Sequence, residues 1–120
     1  MTFSRLLTAA SLLTASMVSA RTLYVGSGQG SITVYSFDES NAPLKQIFQT
    51  TDSSPSPSWQ TIAGSYLFSV SETSANIEGV ITAYKIESDK KLTKKGSAKS
   101  LSGPVSIAVG KDGKLLVSAA

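Results

Sequence analysis

Few side chains in this sequence can do chemistry, and their types narrow what that chemistry is. His and Cys are both absent, so the chain offers no imidazole base, no thiol nucleophile, no zinc site and no disulfide. Glu72 ends the stretch "YLFSVSE" (Tyr66 to Glu72). Its carboxylate reads as an acid–base group or the polar wall of a pocket, against the plainer reading of a solvated loop carboxylate. Trp59 follows Ser58 in "SPSW", and its indole either stacks on a ligand or packs between sheets. Ser106 is a lone serine, and a serine without a base beside it is not a nucleophile. The run "GSGQG" (Gly26 to Gly30) lies between two strand-like stretches rather than before a helix. It reads as a hairpin loop, not a phosphate loop. No cofactor is expected.

The elements that must position these residues are strands. The chain has 120 residues, 41% hydrophobic and only 16% charged, with Ser, Thr and Gly plentiful. That size suits one small unit, and that mix suits a sheet protein with many turns. Period-2 alternation is clear in "SITVYSF", where Ile32 and Val34 share one face and Thr33, Tyr35 and Phe37 the other. In "GVITAYKI" the faces are Val80, Thr82, Tyr84 and Ile86 against Ile81, Ala83 and Lys85. Apolar groups on both faces point to a sheet sandwiched between two neighbours. Turn chemistry sits between the runs, tightest at Lys111-Asp112-Gly113-Lys114. Strands are predicted at 22–26, 31–37, 44–50, 59–63, 66–71, 79–86, 92–99, 105–109 and 114–119, with no helix after residue 20.

These strands repeat. Leu23 aligns with Leu67, Gly30 with Gly79, Ile32 with Ile81, Tyr35 with Tyr84, Phe37 with Ile86 and Leu44 with Leu92. A further copy starts with Pro57 over Pro104 and Leu67 over Leu115. A period of about 40 to 50 residues carrying four short strands is the signature of propeller blades. The predicted fold class is all-β, a partial β-propeller of about two and a quarter four-stranded antiparallel blades. Residues 22–50 supply the outer strands of one blade, 59–99 a complete blade, and 105–119 the inner strands of the next. Loops that lead into inner strands or leave second strands ring the mouth of a propeller channel, which places Trp59 and Glu72 there.

Residues 1–20, "MTFSRLLTAASLLTASMVSA", read as a signal peptide. Arg5 precedes an apolar run from Leu6 to Val18, and Val18 and Ala20 suit the −3 and −1 sites of signal peptidase. The run falls short of the ~20 residues a membrane span needs. Cleavage is expected between Ala20 and Arg21, giving a secreted, extracellular chain with no membrane association. The net charge of +3 falls to +2 without Arg5. Lys90, Lys91, Lys94, Lys95 and Lys99 form the basic cluster. At strand spacing, with no aromatic stacking pattern, they read as a solvated edge rather than a nucleic-acid surface.

The stretches "LYVGSGQGSITVYSFD", "SPSW" followed by "YLFSVSE", and "SGPVSIAVGKDGKLLVSAA" resemble the opening of the lactonase-type seven-bladed propellers. That family includes 6-phosphogluconolactonase-like and carboxy-cis,cis-muconate cyclase-like proteins, and the leader points to its secreted fungal members. The resemblance covers residues 22–120. It implies lactone hydrolysis or muconate-type lactone cyclisation in a longer parent, on a small-molecule lactone or carbohydrate-like ligand. The Gly-Pro segment of the family often carries His two residues after the Pro, where this chain has Ser106; its Asn-Glu at the end of a second strand corresponds to Glu72. The resemblance makes Glu72 the weak catalytic candidate, and Ser58, Trp59 and Ser106 the weak binding candidates.

Two functions remain open: the N-terminal part of a lactonase-like enzyme, inactive by itself, or a non-enzymatic secreted propeller that binds sugars or other partners. With so few strands no ring closes. Tyr24, Tyr35, Phe37, Ile107 and Leu116 are therefore expected on exposed faces, and the chain is expected to aggregate or self-associate through its sheet edges.

Overall fold

The computed structural model describes residues 20–38, 43–74 and 76–119. The expected leader, apart from Ala20, lies outside the described residues. Among these residues no helix forms, and all the sheets are antiparallel. Strands β1 (Arg21–Ser27), β2 (Ser31–Phe37) and β3 (Lys45–Thr50) make a first sheet. A second, four-stranded sheet holds β4 (Pro57–Ala63), β5 (Tyr66–Ser71), β6 (Glu78–Ile86) and β7 (Leu92–Ser102). Strands β8 (Pro104–Val109) and β9 (Leu115–Ala119) pair as a third. Strands adjacent in sequence are adjacent in each sheet, the meander that short turns dictate.

The turns form where Gly and Asp call for them. Gly30 adopts φ 83° and its N–H donates to Ser27 O at 3.1 Å. Only residues 28–30 of "GSGQG" turn; Gly26 lies within β1. At the Lys-Asp-Gly turn, Gly113 takes φ 78° and the Lys114 N–H donates to Asp112 Oδ1 at 3.1 Å.

The core lies between the first and second sheets. Ile32 and Val34 of β2 meet Leu67 of β5, Tyr84 of β6 and Leu92 of β7, with Tyr24, Ile47, Phe48 and Ile86 packed around them. Alternation explains this: Leu67 pairs with Tyr84 across β5 and β6, so both project from one face. Tyr84 has no exposed surface, whereas its repeat counterpart Tyr35 is half-buried. Tyr84 is covered by the neighbouring first sheet; Tyr35 projects from that sheet's far side.

The third sheet corrects one expectation. Ile107 was expected on an exposed face, yet it is only 3% exposed, because β8 lies against β4 and β5. Leu116 does stay open, at 61% exposure, while Tyr24, Tyr35 and Phe37 are half-buried. The lysines of β7 are solvated along the sheet's outer edge, where Lys99 pairs with Glu78 at 2.7 Å. Edge lysines of this kind oppose pairing with another chain.

Candidate functional site

Two strands of this chain begin in the same way. Ser56-Pro57-Ser58-Trp59 leads into β4, and Gly103-Pro104-Val105-Ser106 leads into β8. Both prolines are fully buried. After each, the pairing slips by one residue, between Pro57 and Trp59 and between Pro104 and Ser106. These slips are β-bulges, a device that re-aims side chains at strand ends. The residue before each proline is left-handed, with φ 58° at Ser56 and 59° at Gly103. Glycine adopts that conformation freely, but a serine is strained in it. Gly103→Ala is expected to lower unfolding free energy by about 1–2 kcal/mol. Ser56→Gly relieves strain but loosens the unfolded chain, so it should change stability by less than about 0.5 kcal/mol. Urea titrations of the two variants check both values.

Ser56 is strained at a place where two loops meet. Its carbonyl accepts a hydrogen bond from the Glu72 N–H at 3.0 Å, tying the start of β4 to the end of β5. Around this tie lies an open depression of roughly 610 Å³, lined by Pro55, Ser56, Glu72, Thr73, Ser74 and Ile77. Among the described residues lining it, Glu72 carries the only charge. The loop after Glu72 is shaped by its own bonds: Thr73 Oγ1 donates to Ile77 O at 2.7 Å, and the Ile77 N–H to Ser74 O at 2.9 Å.

The segment that delivers Ser56 is strapped down on both sides. Ser53 Oγ donates to Gly30 O in the first sheet at 2.6 Å. Tyr84 Oη donates to Asp52 Oδ1 at 3.2 Å, and Lys94 Nζ to Asp52 O at 2.8 Å, both from the second sheet. Burial, and then the neighbouring Asp52 carboxylate, raise the Tyr84 phenol well above its ordinary value. Each sheet thus holds one side of the linker between them.

Of the sequence candidates, Glu72 is exposed and lines the depression. Ser58 is the extra residue of the first bulge and is exposed. Trp59 stands on β4 opposite Val70 and is 49% exposed. Ser106 is half-buried on β8 in the third sheet and does not line this depression. Sequence reasoning missed Ser56 and Asp52. The alignment of Ser56 with Gly103 was a signal for the first, since it sets serine at a glycine position. A second depression lies at the opposite strand ends, between Tyr24, Ile62, Ser65, Ile86 and Lys90. There Tyr24 Oη donates to Lys90 O at 3.1 Å.

Residues 21–120 match the family described as Lactonase, 7-bladed beta-propeller. The chain belongs to that family. It is also 41% identical over 100 residues to a protein of Arthroderma benhamiae named "Probable 6-phosphogluconolactonase", covering 82% of this chain and 25% of the relative. The chain thus spans about a quarter of that relative's length. No solved structure matches it. In a lactonase propeller the sheets are blades, and the loops bearing Ser56 and Glu72 sit together at one end of theirs. Nothing in the family match explains the choice of serine at position 56.

Proposed function

We propose that this chain forms one sector of the substrate-facing mouth of a secreted, lactone-hydrolysing propeller. The observation that carries the reading is the Glu72–Ser56 tie, which sets a carboxylate on an open depression in a chain of the lactonase family. The name of the 41% identical relative supports lactone hydrolysis as the reaction. Hydrolysis breaks the acyl–oxygen bond of the ring. Water adds its hydroxyl to the acyl carbon, the ring oxygen takes a proton, and the new acid ionises. That chemistry needs a group that accepts a proton from water and donors for the developing oxyanion. Glu72 is the carboxylate of this sector and holds ligand hydroxyls; a complete ring supplies the proton acceptor and the oxyanion donors, so residues 21–120 alone are inactive. Secretion rests on Arg5, the apolar run Leu6 to Val18, and the small residues Val18 and Ala20.

Acid release from glucono-δ-lactone, followed at constant pH, tests the reaction on a ring-complete protein that carries this segment. Turnover above the spontaneous rate is expected, with no turnover by residues 21–120 alone. A ring-complete protein that releases no excess acid contradicts the reading. Mass spectrometry of the secreted product should find Arg21 at the amino terminus, and a retained Met1 overturns the assignment of the leader.

A further inference from the structure

The depression at the mouth has a composition that discriminates between ligands. Its lining among the described residues combines one carboxylate, three hydroxyl side chains (Ser56, Thr73 and Ser74) and the apolar surfaces of Pro55 and Ile77, with neither Lys nor Arg. A phosphate-binding surface is the reverse of this, since it needs cationic forks or converging N–H donors. The one backbone N–H shown at the tie is already engaged, because the Glu72 N–H donates to Ser56 O. Thr73 Oγ1 is likewise committed as a donor, to Ile77 O. The exposed Glu72 carboxylate accepts hydrogen bonds, and ligand hydroxyl groups are its natural partners.

We infer that this sector of the mouth binds the neutral, hydroxyl-bearing part of a sugar-like ligand through Glu72 and turns phosphate away. The inference rests on the lactone reading for its biological setting, but not for its test. Glu72 acts as a specificity-determining residue here: its carboxylate accepts hydrogen bonds from ligand hydroxyls and repels a phosphate group held nearby. A phosphate monoester carries about −1.5 to −2 charges at neutral pH. At a separation of several ångströms in water, that repulsion amounts to about a tenfold loss of affinity. Any phosphate on a substrate of this propeller must therefore point away from residues 55–77.

Saturation-transfer NMR on the 120-residue chain, with D-glucose and D-glucose 6-phosphate as matched probes, tests this directly. It reads weak binding and tolerates self-association of the protein. Transfer to glucose is expected to exceed transfer to the phosphorylated sugar by about tenfold at low salt. Glu72→Gln should erase that difference and Glu72→Lys should invert it, with circular dichroism confirming the sheet signal in each variant. Equal or stronger transfer to glucose 6-phosphate in the wild type overturns the inference, as does no transfer to either sugar. A preference that survives both substitutions overturns it too. If the preference holds but a ring-complete protein hydrolyses no lactone, the enzymatic reading fails while this one stands.

Discussion

Gly26→Ala is expected to destabilise the fold by about 3 kcal/mol, although it adds a single methyl group. Gly26 lies in β1, where the first sheet runs close to the start of β4. A Cβ placed there meets the Pro57 carbonyl oxygen at 2.1 Å and Gln60 Nε2 at 2.3 Å. Gln60 cannot swing away freely, because its Nε2 donates to the same carbonyl at 2.8 Å. Pro57 cannot move either: it is fully buried, and its carbonyl belongs to the bulged strand. The two sheets must separate, and separation opens the core between Ile32, Val34, Leu67 and Tyr84. In a domain of this size the melting temperature should fall by about 15 °C. Gly28→Ala is the control, since no atom lies within 4 Å of its added Cβ. A Gly26→Ala protein that melts with the Gly28→Ala control contradicts the close approach of the sheets.

Tyr84 governs the second large effect, because one side chain fills the core and holds the linker. Tyr84→Ala removes the largest fully buried side chain among the described residues and should cost about 3–5 kcal/mol. Tyr84→Phe keeps the packing but drops the hydrogen bond to Asp52. A bond to a carboxylate contributes about 1.5–3 kcal/mol. The same phenol predicts how stability depends on pH. Burial first, and then Asp52, raise its folded-state pKa above the ordinary 10.0. Below pH 10.0 both the folded and unfolded states keep the proton, so the contribution of this group is complete. As pH rises further, the unfolded chain ionises first and the contribution drains away. Urea midpoints should therefore fall above about pH 10 in the wild type, and Tyr84→Phe should lose this component of the alkaline decline. A decline of equal size in both proteins contradicts the burial of the phenol beside Asp52.

The strands were legible in the sequence because their faces alternate in β2 and β6 and most turns carry Gly or Asp. β2 and β6 show this best, with Ile32 and Val34 aligned on Ile81 and Ala83. Burial was less legible, since it depends on which sheet covers which face. Tyr35 and Tyr84 align in the repeat yet differ in exposure, because the first sheet covers the one and the far side bears the other. Ile107 followed the same rule in the opposite sense, covered by β4 and β5. At the depression, Glu72 could be found as a carboxylate at a strand end. Its tie to Ser56 could not, because the φ of 58° at Ser56 is a backbone property that a serine does not announce. Asp52 was hidden for another reason: its partners Tyr84 and Lys94 lie 32 and 42 residues away. No local spacing signals such contacts.

The central claim, that Glu72 belongs to a lactone-binding mouth, is tested most directly by steady-state hydrolysis of glucono-δ-lactone by a ring-complete protein with and without Glu72→Ala. Glu72 is exposed and is argued to hold ligand hydroxyls, so its loss should weaken ground-state and transition-state binding alike. The variant is predicted to raise KM by about tenfold with kcat little changed. Unchanged KM and kcat in a folded Glu72→Ala protein contradict the claim.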